Sequence, residues 1–403
     1  MNTQSIMPWK LFKLAPKPFV KPTDDDPLFR RIRAHADKRL NLKSMSTPKE
    51  RLEACKEYLR LENEMLEQYH RKGYSGVRVT RAYAMMMDVL TQALFEQALR
   101  VYAEQSGKDI TDVCMLALGG YGRKELCPQS DVDIMFLCPT RMNAKAVEAF
   151  QQLIVQEVLY PLWDLKLKVG YSMRNHKEAI EEARGSIESK NSMIEARLIF
   201  GSSSLFEKFS HQYRQFYLND SPQKYAQGRL VAQAERRKKY GNSVYMQQPN
   251  IKNGVGGLRD YQNILWVSFV RLNTGSLEEI EKKGFLASIE VKQLYEAYDF
   301  LLRVRNELHF ISTRPTDILN LESQPEVAWG LGYRQHDIFK RMEAFMHDYF
   351  RHTSNIFKTS NLLEQRLAQS SELDKERISM SEVIRSRQHS DRESFDGFTR
   401  RQQ

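Results

Sequence analysis

The residues with the plainest chemistry in this chain are Asp131 and Asp133. They open a run, Asp131-Val132-Asp133-Ile134-Met135-Phe136-Leu137, that reads as a buried strand. On a strand, residues i and i+2 share a face, so the two carboxylates point one way and Val132 and Ile134 the other. Upstream, the apolar run Val113 to Leu118 predicts another strand, and Gly119-Gly120 predicts a turn that a ligand can approach closely. Paired carboxylates can hold Mg²⁺ or Mn²⁺. In phosphoryl-transfer sites two such ions, roughly 3.5–4 Å apart, clamp the attacking and leaving oxygens. Mg²⁺ favours carboxylate oxygens completed by substrate phosphates, and the N–H groups of a glycine turn suit those phosphates. The expected chemistry is therefore metal-dependent phosphoryl transfer. Asp131 and Asp133 are the expected catalytic, metal-holding groups, and Gly119, Gly120, Arg123 and Ser130 are the expected phosphate contacts. A third carboxylate would complete such a site. Asp164, Glu188 and Glu195 are the candidates, and the sequence does not choose among them.

A second dense motif is Pro249-Asn250-Ile251-Lys252-Asn253-Gly254-Val255-Gly256-Gly257-Leu258-Arg259-Asp260. Its glycines lead into a helix, which predicts an anion-ready helix start supported by Lys252 and Arg259. The same glycines also suit a plain interdomain loop, and both readings stay open. His309, His336-Asp337 and His347-Asp348 superficially suggest a metal hydrolase, but they read as helix-surface or packing groups. Arg236-Arg237-Lys238-Lys239 reads as a solvated helix face. It lacks the interleaved aromatics of single-strand binding, so nucleic acid is not an expected partner.

These groups need a scaffold. Thr47-Pro48-Lys49-Glu50 is a helix-start pattern, and that helix should run to Gly73. A second helix is expected from about Thr80 to Gln105, and a third from Ala144 to about Trp163. Leu165 to Val169 alternates strictly, which predicts a half-exposed strand continuing towards Arg174. Asn175 and Glu178 suit a helix cap, and another helix is expected to carry Glu195, Ala196 and Arg197. From Gly201 onward only helical patterns remain. The expected division is a disordered arm over 1–26, a helical segment over 27–75, a domain carrying the acid pair over 76–200, an α-helical domain over 201–371, and a polar tail over 372–403, disordered or only locally helical. With 403 residues, 41% hydrophobic and 28% charged, the chain can bury real cores. Its net charge of +10 favours anionic partners. Cys55, Cys114, Cys127 and Cys138 form no CxxC pair and suit buried thiols in a reducing cytoplasm. No apolar run is long enough to span a bilayer, and no signal peptide is evident.

Together these motifs resemble the bacterial PII uridylyltransferase/uridylyl-removing enzymes, which sense glutamine. Gly119-Gly120-Tyr121-Gly122-Arg123-Lys124-Glu125-Leu126, Pro128 and Ser130-Asp131-Val132-Asp133 match the family's first signature nearly residue for residue. Trp163-Asp164, Val169-Gly170-Tyr171-Ser172-Met173-Arg174 and Glu195-Ala196-Arg197 with Gly201 are similar to the blocks that follow. Pro249-Asn250-Ile251-Lys252 with Gly256-Gly257-Leu258-Arg259-Asp260 is the most family-specific piece, and Arg303 to His309, Asp317, Gln324, Ala328 and Leu331-Gly332-Tyr333 also fit. Ser186 and Gln248 depart from the pattern, where the family usually carries Asp and Glu.

The resemblance implies an α+β, polymerase-β-like nucleotidyltransferase fold: a small mixed sheet with flanking helices, then a helical domain. It implies transfer of UMP from UTP to a tyrosine of a PII-type nitrogen-signalling protein. The family's HD-type phosphohydrolase and ligand-sensing domains are not expected in this chain. Three alternatives stay open: a protein adenylyltransferase, an RNA nucleotidyltransferase, or a non-catalytic regulator of the same fold.

Overall fold

The computed structural model describes residues 23, 25–107 and 110–399, with side chains through 368. Apart from residues 23, 25 and 26, the expected arm over 1–26 lies outside the described residues. The chain opens with helices α1 (Pro27–Arg39), α2 (Pro48–Arg71) and α3 (Gly76–Ser106). Helix α2 starts where its sequence directs: the Thr47 hydroxyl accepts from the Glu50 N–H, and the Glu50 carboxylate caps the Thr47 N–H.

The αβ region follows, as β1 (Cys114–Ala117), α4 (Gly119–Gly122), β2 (Val132–Leu137), α5 (Ala144–Ile154), α6 (Tyr160–Asp164), β3 (Val169–Arg174), α7 (His176–Gly185), α8 (Ile187–Ile194) and β4 (Arg197–Gly201). The sheet order is β3-β2-β1-β4. Strand β1 is antiparallel to both β2 and β4, and β2 is parallel to β3, so the sheet is mixed. The pleat divides β1 and β2 between two cores. Met115, Ala117, Ile134 and Phe136 pack with α1–α3, while Cys114, Leu116, Met135 and Leu137 face the other layer. That second layer contains α7, α8 and α9 (Ser203–Asn219).

Then come α10 (Pro222–Lys239), α11 (Leu258–Leu272), α12 (Leu277–Lys282), α13 (Ser288–Ile311), α14 (Gln324–Gly330) and α15 (Ile338–Thr399). Helices α11 to α15 share a third core built on α11, α13 and α15, while Tyr225 of α10 packs in the second layer. Helix α13 ties it to the first: Asp299 accepts from the Val77 N–H at 3.0 Å, at the start of α3. All four cysteines are buried free thiols. No described helix is long and apolar enough to cross a membrane.

Several local expectations need correction. Leu165 to Lys168 is not strand: Lys166 is left-handed (φ 62°), and the Leu167 N–H returns to Leu162. The turn half-buries Leu165 and Leu167 and exposes both lysines, so it satisfies the same alternation as a strand. The helix expected over 144–163 is interrupted by a π-helical turn, Val155–Leu159. Glu195 ends α8 instead of sitting in a helix with Arg197, which opens β4 beside β1. Backbone helix continues through the polar segment from 372 as part of α15.

Candidate active site

Asp131 and Asp133 lie on the β2 face that continues through Met135 and Leu137. Beyond Asp133 that face packs on the α7–α9 layer, but at its start it opens into a cavity of about 600 Å³. Both acids are reached by solvent from there. Neither makes an ion pair or side-chain hydrogen bond among the described residues. Two glycines make room for Asp133. A Cβ on Gly170, its neighbour across β3, would come within 2.5 Å of Asp133 Oδ1, and one on Gly119 would lie 3.8 Å from Oδ2. The recess raises the Asp133 carboxyl above its ordinary range, chiefly by desolvation and then by the negative charge of Asp131, while Lys252 opposes. Two like charges held together with no ion-pair partner, and only Lys252 opposing them from further off, are a donor set that a divalent cation would relieve, so the residues present fit one.

The cavity gathers most of the expected site. Gly119, Gly120, Arg123, Ser130, Lys252 and Arg259 all line it with the acid pair. Arg123, however, is committed elsewhere: it bridges Glu125 at 2.7 Å and also pairs with Glu195. Burial works against its charge, but those two glutamates outweigh it and hold the guanidinium protonated. Ser130 is a link. Its hydroxyl accepts from the Cys127 N–H at 3.0 Å and from Arg305 at 3.4 Å. Among the acids left open, Glu188 and Glu195 reach the cavity and Asp164 does not. The Glu195 carboxylate is occupied by Arg123 and by the Trp266 indole N–H at 2.6 Å. Among the described residues, no third His, Cys, Asp or Glu joins the acid pair as a metal cluster. Ser186 caps α8 and stands outside this cavity.

The second glycine motif divides. Lys252 and Arg259 face the cavity, whereas Gly256, Gly257 and Asp260 do not. The expected anion-ready start of α11 is already used: the Leu258 and Arg259 N–H groups donate to the carbonyls of Ile251 and Lys252. Asp260 is fully buried and takes Arg236, Arg237 and the Gly256 N–H. The basic run 236–239 is therefore half internal, not a solvated face. Of the histidines set aside, His309 stands in the cavity wall. Its Nε2 lies 3.4 Å from Asp317, and its Nδ1 accepts from the Gln129 N–H at 3.2 Å. Burial lowers its pKa against the pull of Asp317. His336 and His347 lie outside the cavity.

Sequence reasoning missed Arg229 and Trp266, and took Arg305 and Asp317 only as matching positions. The signal was present as stripes at helical spacing. Arg229, Ala232 and Arg236 line the cavity from α10, Arg259, Gln262 and Trp266 from α11, and Tyr298, Leu302, Arg305 and His309 from α13.

The chain is similar in sequence to known proteins. Residues 224–363 match the model of the GlnD PII-uridylyltransferase family, and residues 63–160 match a nucleotidyltransferase model, DUF294. A bifunctional uridylyltransferase/uridylyl-removing enzyme of Rhodospirillum rubrum is 32% identical over 277 residues, covering 68% of this chain and 29% of the relative. One from a Bradyrhizobium species is 30% identical over 280 residues, covering 69% and 30%. The chain thus spans about 30% of the length of these relatives. On these matches and the fold that carries them, the chain belongs to the PII uridylyltransferase/uridylyl-removing enzyme family, over its nucleotidyltransferase and helical regions.

Proposed function

We propose that this chain transfers a nucleoside monophosphate from an NTP to a protein hydroxyl, with UTP as donor and a PII-type protein as acceptor. The observation that carries the reading is the unpaired Asp131–Asp133 face, opening beside Gly119-Gly120 into a cavity rich in cations. The choice of UTP and of a PII protein rests on what the relatives are named for. Asp131 and Asp133 would hold Mg²⁺ or Mn²⁺, which when bound supplies charge neutralisation at the transferring phosphoryl group. Gly119 and Gly120 leave backbone open to the nucleotide. Ser130, fixed through Arg305 to Asp317, keeps the strand entrance in place. The acceptor oxygen forms a bond to the α-phosphorus as the α–β bridging bond breaks, and pyrophosphate leaves. Positioning and electrostatics supply most of the rate.

The test is incubation with Mg²⁺ and each α-labelled NTP, with a PII protein, with RNA, and alone. Label from UTP on the PII protein is expected, and label on RNA without protein label overturns the reading. The lack of a third acid beside Asp131 and Asp133 among the described residues favours a second reading, a non-catalytic nucleotide-binding regulator. Saturable Mg²⁺·NTP binding without turnover of any acceptor would select it.

A further inference from the structure

The cations of the cavity fall into two groups. Arg123, Arg236 and Arg305 each have a carboxylate partner. Arg229, Lys252 and Arg259 have none among the described residues: Arg229 donates to the Asn263 amide at 3.0 Å, and Arg259 to Gln262 at 3.0 Å. Yet Arg229 is only 6% exposed, and Lys252 and Arg259 are half-buried. Burial pushes the pKa of all three below the ordinary range. For Arg259, repulsion from Arg123 and Arg229 adds to this and brings it to about 10. Trp266 offers a partial remedy, with the Arg229 and Arg259 guanidiniums 4.6 and 5.3 Å from its ring centroid. A ring face attracts a cation but does not neutralise it. Glu188, Glu195 and Asp317 act on these cations without pairing with them, and charge of one sign drawn out of water needs a paired counter-charge.

The missing counter-charge has a recognisable chemistry. Guanidinium groups bind phosphate oxygens in a forked, directional way. Lys252 lines the same cavity as both the arginines and the acid pair, and its charge opposes that of Asp133. The cavity, about 600 Å³, is of ligand size. We propose that Arg229, Lys252 and Arg259 form an oligophosphate seat, built by the helical region, that holds the leaving pyrophosphate end of the nucleotide. The orientation towards Asp131 and Asp133 rests on the transferase reading, but the seat itself does not.

The seat is tested by titration calorimetry of the full chain with sodium tripolyphosphate, without metal or nucleoside. Saturable binding is expected. Arg259→Gln and Arg229→Gln should each weaken it at least tenfold, with Arg259→Lys intermediate. Asp131→Asn/Asp133→Asn should bind as well as wild type or better. Unchanged affinity in both Arg→Gln variants, or no saturable binding, overturns the seat. So does equal loss in Arg259→Lys and Arg259→Gln accompanied by an equal fall in melting temperature. If the expected pattern appears and no NTP labels any acceptor, the transferase reading falls and the seat stands. If an acceptor is labelled while Arg259→Gln and Arg229→Gln both leave tripolyphosphate affinity and the KM for NTP unchanged, the seat falls and the transferase reading stands.

Discussion

The two glycine loops look alike in sequence and do opposite work. Around Gly119-Gly120 the glycines face the cavity: an added Cβ would meet nothing closer than 3.7 Å at Gly120 and 3.8 Å at Gly119. Around Gly256-Gly257 the glycines face protein. An added Cβ would sit 2.1 Å from the Thr353 carbonyl oxygen at Gly256, and 2.6 Å from that of Ile251 at Gly257. The first loop keeps space for a ligand. The second lets backbone pack on backbone, and hands only residues that flank its glycines to the cavity, Lys252 and Asn253 before them and Leu258 and Arg259 after. A glycine-rich motif therefore does not announce a phosphate loop. What surrounds each missing Cβ decides.

The contrast can be broken by substitution. Asp260→Ala leaves Arg236 and Arg237 without their buried partner and should cost about 3–5 kcal/mol in urea unfolding. A loss below 1 kcal/mol would mean the second loop is not a brace. Asp133→Asn should instead lower nucleotide transfer by about 100-fold or more, from the several kcal/mol that a metal supplies, without lowering the melting temperature. Gly256→Ala forces a Cβ into backbone at a φ of 70° and should destabilise by about 2–4 kcal/mol. Gly120→Ala should change stability by no more than about 0.5 kcal/mol, and raise the KM for NTP if a ligand approaches there.

The smallest effect expected is a pH dependence of stability. The carboxyl of Asp133 titrates higher folded than unfolded, so through that window the folded state binds more protons and stability falls as pH rises. Asp133→Asn removes this burden. It should be more stable than wild type at neutral pH, and the advantage should shrink as pH falls below the raised value. An advantage that is constant with pH would assign the effect to packing.

Much of the acid side of the site was legible because it is local. Two residues on one strand share a face by geometry alone, and a glycine turn precedes them in sequence. The cationic side was not, because it is assembled from three helices far apart in the chain. Arg229, Arg259 and Arg305 become neighbours only when α10, α11 and α13 pack. Each was an ordinary helix arginine until burial removed its water. Arg123 lines the cavity as expected, but its pairing was not legible: its partner Glu195 lies 72 residues on, at the end of α8, which the sequence pattern carried on as helix through Arg197. The alternation of Leu165 to Val169 misled because a turn that buries two leucines and exposes two lysines has the period of a strand.

The central claim is that Asp131 and Asp133 make this cavity a site of nucleotidyl transfer. It is tested most directly by the rate of pyrophosphate release from Mg²⁺·UTP in the presence of a PII protein. Wild type should release pyrophosphate in step with labelling of the acceptor, and Asp131→Asn/Asp133→Asn, equally folded by its melting curve, should release none. Equal release by both proteins, or none by either while both bind Mg²⁺·UTP alike, would contradict the account.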